Sequence, residues 1–269
     1  MIKIFVINLE ESEYRRKFMI NQLKRVGFPF QVVCAVRSSE IEDEFVEEVN
    51  RKDIRCGPMT KGEIACVLSH AKACEAIKKD KNCSLGVILE DDVIFKNGIL
   101  NVLNSLKANH PVDQVTLLCL TAISEVHLTR AAKLNDLYCL MTTEPLSRVW
   151  GARAYILSPK QGEVLASEMR SMRCRADDWH SYVCSGSIRN VMSVFPLPTV
   201  HAEFESDIGL YKNPESPLLS RKFISRFIHR KKLFPLYHIA LHCRRRREER
   251  RQKKVIFVEN EMCKKTYKL

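Results

Sequence analysis

The stretch Leu85-Gly86-Val87-Ile88-Leu89-Glu90-Asp91-Asp92 decides the fold. Five apolar residues in a row, too few for a helix, read as a strand buried on both faces. Three carboxylates follow at once. A strand that ends in charge sends its carboxyl end to a polar crevice, where open α/β sheets bind ligands. Adjacent carboxylates repel unless a cation or solvent offsets them. Alternation along an extended chain sends Glu90 and Asp92 one way and Asp91 the other. That pattern suits a hard divalent ion held by one or two carboxylates and by phosphate oxygens. The competing reading is a solvated acidic turn.

Outward from this strand the chain alternates β and α. Ile2–Leu9 reads as a buried first strand, Ser12 opens a helix that Gly27 ends, and residues 29–35 form a second strand. Residues 38–53 are acidic and weakly patterned. Residues 61–79 read as a helix with an apolar stripe at Ile64, Val67, Leu68, Ala71, Cys74 and Ile77. Residues 114–120, 154–157 and 191–195 read as further strands. Ser158-Pro159 supplies an N-cap and an N1 proline for a helix over residues 160–169. The expected class is α/β, with a mixed, mostly parallel central sheet.

The chain has 269 residues, with 45% hydrophobic and 28% charged. That supports a full core and excludes wholesale disorder. No apolar run approaches the roughly 18–20 residues that span a bilayer, and no secretory signal is read at the start. The 11 cysteines show no CxxC pair and no zinc-finger spacing, so a reducing compartment and mostly structural thiols are expected.

Charge divides the chain. Residues 1–220 hold 27 Lys/Arg against 28 Asp/Glu, whereas residues 221–254 hold 14 against 2. The expected organisation is therefore a near-neutral domain over 1–212 and a linker with a helical basic tail over 213–269. Phe223, Ile224, Phe227 and Ile228 share one helical face amid Arg and Lys. Such a segment suits an anionic membrane surface. Nucleic acid is the alternative partner, disfavoured because the body has no basic groove to continue the binding.

Six motifs in order, INLEESEYRR, PFQVVCAV, TKGEIACVLSH, VILEDDV, VWGARAYILS and ADDW, resemble glycosyltransferase family 25 over roughly residues 1–200. The nearest likeness is to its bacterial lipooligosaccharide β-1,4-galactosyltransferases. The resemblance implies a GT-A-like, Rossmann-type nucleotide-sugar domain, a UDP-sugar donor (usually UDP-galactose) and a lipid-linked oligosaccharide acceptor. It implies Mn²⁺ or Mg²⁺ on Asp92 and Glu90, with His201 a further candidate ligand where the family pattern lacks a histidine. Asn8, Arg15, Arg16, Gly62, Glu63, Ser69, His70, Asp91 and Gly151 are expected around the donor. Trp150 and Trp179 are expected at the acceptor. Inverting transfer needs a base for the acceptor hydroxyl; the motif points to Asp178, with Asp177 beside it. The tail would hold the enzyme at the cytoplasmic face of a bacterial inner membrane. Two other functions compete: a nucleic-acid-binding protein acting through its tail, and a sugar-binding relative without transfer.

Overall fold

The computed structural model describes residues 1–52, 54–55, 57–122, 125–202 and 255–257. The chain opens with β1 (Ile2–Asn8), α1 (Glu13–Val26) and β2 (Phe30–Cys34). α2 (Asp43–Arg51) and α3 (Lys61–Lys79) lead into β3 (Leu85–Glu90). Next come β4 (Val93–Phe95), α4 (Ile99–Asn109), β5 (Gln114–Leu117), β6 (Thr121–Ala122), β7 (Val126–Lys133) and β8 (Cys139–Glu144). β9 (Val149–Trp150), β10 (Ala154–Leu157), α5 (Pro159–Arg170), α6 (Trp179–Cys184), β11 (Asn190–Phe195), β12 (Thr199–His201) and β13 (Val255–Phe257) follow.

The main sheet is mixed, in the order β13-β7-β8-β11-β5-β10-β3-β1-β2. β1 lies parallel to both β2 and β3. β10 inserts antiparallel between β3 and β5, and β11 runs parallel to β5. The rim carries the antiparallel β7–β8 and β8–β11 pairs, with β13 parallel to β7. The expected buried strand thus lies inside the sheet.

Period-two alternation divides its side chains between two cores. Ile4, Val6, Val87, Leu89 and Ile156 face α1 and α4, packing with Met19, Leu23, Val102 and Leu106. Phe5, Ile7, Ile88, Tyr155 and Leu157 face α3 and α5, packing with Ile64, Val67, Ile77 and Leu165. Each such aliphatic side chain contributes roughly 1.5–3 kcal/mol when fully buried. Gly86 has no space for a Cβ, because Ile77 of α3 lies directly on it. That close approach seats the last turn of α3 on the start of β3.

Local signals act as expected at three helices. α3 begins in a full capping box between Thr60 and Glu63. Ser158 accepts from the Gln161 amide at the start of α5. α1 ends at Gly27 in the left-handed conformation. Ser12 occupies the N-cap of α1, but its hydroxyl makes no capping bond. Instead Asn8 Nδ2 donates to the Ser12 carbonyl, fastening α1 to the end of β1. The acidic segment 38–53 holds a 3₁₀ turn and then α2. The described cysteines are free, and Cys74, Cys83, Cys119 and Cys174 are buried as small hydrophobes. No described helix is long and apolar enough to cross a membrane. The linker and the basic segment 221–254 lie outside the described residues.

Candidate active site

The acidic triplet sits where β3 gives way to β4, and its three carboxylates go to three different neighbours. Asp91 is buried and turns toward β1 and α1. Asn8 Nδ2 donates to its Oδ2 at 2.7 Å, and Arg15 Nη1 donates to its Oδ1 at 2.9 Å. Burial raises its pKa, and Asn8 and Arg15 offset only part of that rise. Arg16 points away, donating to the Glu10 carbonyl. Of the two arginines, the structure therefore brings Arg15 to the triplet and leaves Arg16 at the loop.

Glu90 faces α3. Its Oε1 lies 3.4 Å from His70 Nε2, and 29% of its side chain remains exposed. Burial raises the Glu90 pKa, but the hydrogen bond and charge of His70, then Arg153 and His201, outweigh it and hold the carboxyl below its usual value. Asp92 faces β12. The antiparallel β4–β12 pair sets His201 opposite Val93, and the Ala202 amide donates to the Asp92 carbonyl at 2.6 Å. His201 Nε2 consequently lies 3.6 Å from Asp92 Oδ2. Burial, then the Glu90 charge, pushes the Asp92 carboxyl up to about 7. Its Oδ1 is buried with no hydrogen-bond partner among the described residues.

Two residues unread in the sequence complete this wall. Arg153 lies within electrostatic reach of Glu90 and Asp92; burial lowers its pKa, but Cys119, Glu90 and Asp92 more than reverse that. Its backbone carbonyl, just before β10, accepts the Glu90 amide at 2.7 Å. Tyr155, fully buried, brings its hydroxyl to 3.0 Å from His70 Nδ1. A lone arginine between two alanines, just before an apolar strand, was the available signal for Arg153. Tyr155 offered none, since a strand tyrosine reads as core.

The remaining expected residues divide between the site and the framework. Gly151 takes φ +100°, and its amide donates to Asp177 Oδ2 at 3.0 Å. Asp177 lies within electrostatic reach of Glu90 and His70; burial first, then Glu90, raises its pKa. Asp178 is differently employed. It caps α6, its Oδ1 accepting the Ser181 amide at 3.2 Å and its Oδ2 the Ser181 hydroxyl at 2.7 Å. Trp150 is half-buried, with an indole N–H that has no partner among the described residues.

Trp179, expected at the acceptor, is instead core. It is wholly buried, edge-on to Tyr155 at 5.2 Å, with its indole N–H on the Gly151 carbonyl. Glu63 is held by its capping box and by Arg175 at 2.6 Å. Ser69 braces α3 against the chain after β2, donating to the Ala65 carbonyl and accepting from the Val36 amide. Gly62 sits in the first turn of α3. These three shape the wall from behind.

The carboxylates at the end of a central strand, with an arginine on one and an unpartnered buried oxygen on another, make this crevice of the α/β sheet the candidate active site. Residues 1–180 fit the model of glycosyltransferase family 25, described as an LPS biosynthesis protein, and the chain belongs to this family. Among curated relatives, procollagen galactosyltransferase 1-B of Xenopus laevis is 30% identical over 116 residues, 39% of this chain and 19% of its own. Procollagen galactosyltransferase 2 of Homo sapiens is 29% identical over 122 residues, 43% of this chain and 19% of its own. The chain thus spans about a fifth of the length of these relatives. A solved glycosyltransferase involved in glycosylation of the major capsid of PBCV-1 aligns over 71% of this chain and 81% of its own, at 9% identity and TM-score 0.36.

Proposed function

We propose that the chain transfers a hexose, galactose from UDP-galactose, with inversion to a sugar of a lipid-linked oligosaccharide of the lipooligosaccharide type. Family membership supports the reaction class, and the relatives named galactosyltransferases favour the sugar. The observation that carries the reading is the divided triplet, with Asp91 engaged by Asn8 and Arg15 while Asp92 Oδ1 stays buried and unpartnered.

A buried, half-satisfied carboxylate fits a divalent cation. Asp92 and Glu90 would hold Mn²⁺ or Mg²⁺, with His201 at hand as a third ligand. Such an ion, when bound, offsets the diphosphate charge of the leaving nucleotide. The rest falls to side chains. Arg15, Asn8 and Asp91 make a polar notch at the end of β1 for the nucleoside half; Asn8 Oδ1, itself unpartnered among the described residues, is free to accept an imide N–H. Arg153 adds a positive charge within electrostatic reach of Glu90 and Asp92. Trp150, half-buried with its indole N–H unpartnered among the described residues, would line the acceptor side.

For the base we favour Asp177 over Asp178. Both oxygens of Asp178 are committed to Ser181. Asp177 keeps one oxygen clear of the Gly151 amide, and burial lifts its affinity for a proton. That moves it toward the range in which a general base works.

Residues 221–254 would hold the enzyme to an anionic leaflet, at the cytoplasmic face of a bacterial inner membrane where such acceptors reside. The deciding experiment is a donor and acceptor screen. UDP-Gal, UDP-Glc and UDP-GlcNAc are offered with and without Mn²⁺, against lipooligosaccharide and against procollagen, and nucleotide release is read. Manganese-dependent release from UDP-Gal with lipooligosaccharide is expected. Release driven by procollagen instead would move the acceptor, and release indifferent to chelator would remove the metal.

A further inference from the structure

We propose that Cys66, His70 and Glu90 form a three-ligand site for a thiophilic divalent cation of the zinc class, beside the carboxylate site on Asp92 and sharing Glu90 with it. Cys66 Sγ, a His70 ring nitrogen and a Glu90 oxygen all lie within 4.8 Å of one another. α3 supplies the first two from one face, four residues apart. β3 supplies the third from below. Glu90 also serves the proposed carboxylate site, but metal ligation by Cys66 and His70 does not follow from the transferase reading, and sulfur-to-cobalt charge transfer reads the thiolate alone.

The donor set selects the ion. A thiolate, an imidazole and a carboxylate suit zinc, cobalt or ferrous ions, whereas Mg²⁺ demands oxygen ligands in an octahedron. Zinc bonds of about 2.0–2.3 Å place tetrahedral ligand atoms about 3.3–3.8 Å apart, so the cluster closes with side-chain shifts of about 1 Å. Three protein ligands leave a fourth position open.

The imidazole is already aimed. Its Nδ1 lies 3.0 Å from the Tyr155 hydroxyl, and the two rings stack with centroids 5.7 Å apart. Tyr155 is fixed in turn by Trp179, edge-on at 5.2 Å. This leaves Nε2 directed at Glu90 Oε1, 3.4 Å away, which is long for a neutral hydrogen bond. Partners behind a metal-bound histidine orient the ring in this manner. His70 is 1% exposed, but the 29% exposure of the Glu90 side chain leaves an entry path. Binding breaks the Cys66 S–H bond, forms a sulfur–metal bond and releases one proton to solvent; no electrons move.

Cobalt titration of the full chain tests this. One equivalent should give a sulfur-to-cobalt charge-transfer band in the near ultraviolet, displaced by zinc. Cys66→Ser should abolish the band. Cys184→Ser should keep it, although Cys184 Sγ lies 3.5 Å from His180 Nε2 on the exposed side of α6. Absence of the band, its survival in Cys66→Ser, or its loss in Cys184→Ser overturns the proposal. Should Cys66→Ser fail to fold, alkylation of the unaltered chain decides. Zinc should slow iodoacetamide labelling of Cys66 by at least about tenfold, and an unchanged rate refutes the site.

Discussion

Asp177 and Asp178 are neighbours in the chain that hold different partners. Asp178 turns down onto Ser181 and starts α6, and Asp177 turns up onto the Gly151 amide at the site. With Asp177 as the proposed base, the two aspartates would separate stability from chemistry. Asp178→Ala should cost about 1–2 kcal/mol, the ordinary loss for an N-cap, with kcat largely kept in the folded fraction. Asp177→Asn should fold normally and lose transfer by at least about a hundredfold. Urea unfolding alongside steady-state kinetics checks both, and a reversed pattern would return the base to Asp178.

Arg15 reaches Asp91 at 2.9 Å with only 17% and 10% of the two side chains exposed. Removing the guanidinium leaves a buried carboxylate with Asn8 as its named donor. Arg15→Ala should lower stability by roughly 2 kcal/mol, below the cost for a fully buried pair because some solvent reaches it. It should also raise the donor KM more than it lowers kcat, since the notch is proposed to hold the nucleoside half and not the reacting atoms. Isothermal titration with UDP compares the two proteins directly.

Much of this fold was legible from residue pattern. α3 spans residues 61–79 as its stripe indicates, and β10 spans 154–157. α4 went unread although Ile99, Val102, Leu103 and Leu106 keep helical spacing, because asparagines and a serine between them dilute the signal. β7 went unread because only Val126 and Leu128 are buried along its length. A strand near the rim of the sheet with a solvated half has no clean alternation to find. The place of the site was legible in Glu90, Asp91 and Asp92. Which of two adjacent aspartates faced it was not, since a cap and a base carry the same side chain. The Asp178-x-x-Ser181 spacing was the available clue to the cap.

Gly151 combines a left-handed backbone with a donor role. Its φ is +100°, and an added Cβ would stand 3.2 Å from Thr121 Oγ1. Gly151→Ala should cost about 1–3 kcal/mol from backbone strain. It should also pull the amide from Asp177, so kcat falls while the donor KM holds. Equal stability and unchanged kcat would show that the turn neither needs glycine nor positions the aspartate.

Asp92 gives the pH dependence. Its carboxyl titrates near 7 in the folded chain, raised from 3.8 by burial and then by Glu90. Between those values the metal-free native state keeps a proton that the unfolded chain has lost. The stabilising contribution is therefore complete below about pH 4 and disappears as pH rises through about 7. Asp92→Asn does not titrate, so its stability relative to the unaltered chain should climb by roughly 4 kcal/mol across that window and then level off. Unfolding in chelator at several pH values reads the slope, and a flat difference would place Asp92 in solvent. Manganese should reverse the order at pH 8. It binds the ionised carboxylate, raises the Tm of the unaltered chain and leaves Asp92→Asn where it was. An equal rise in both would move the ion away from Asp92.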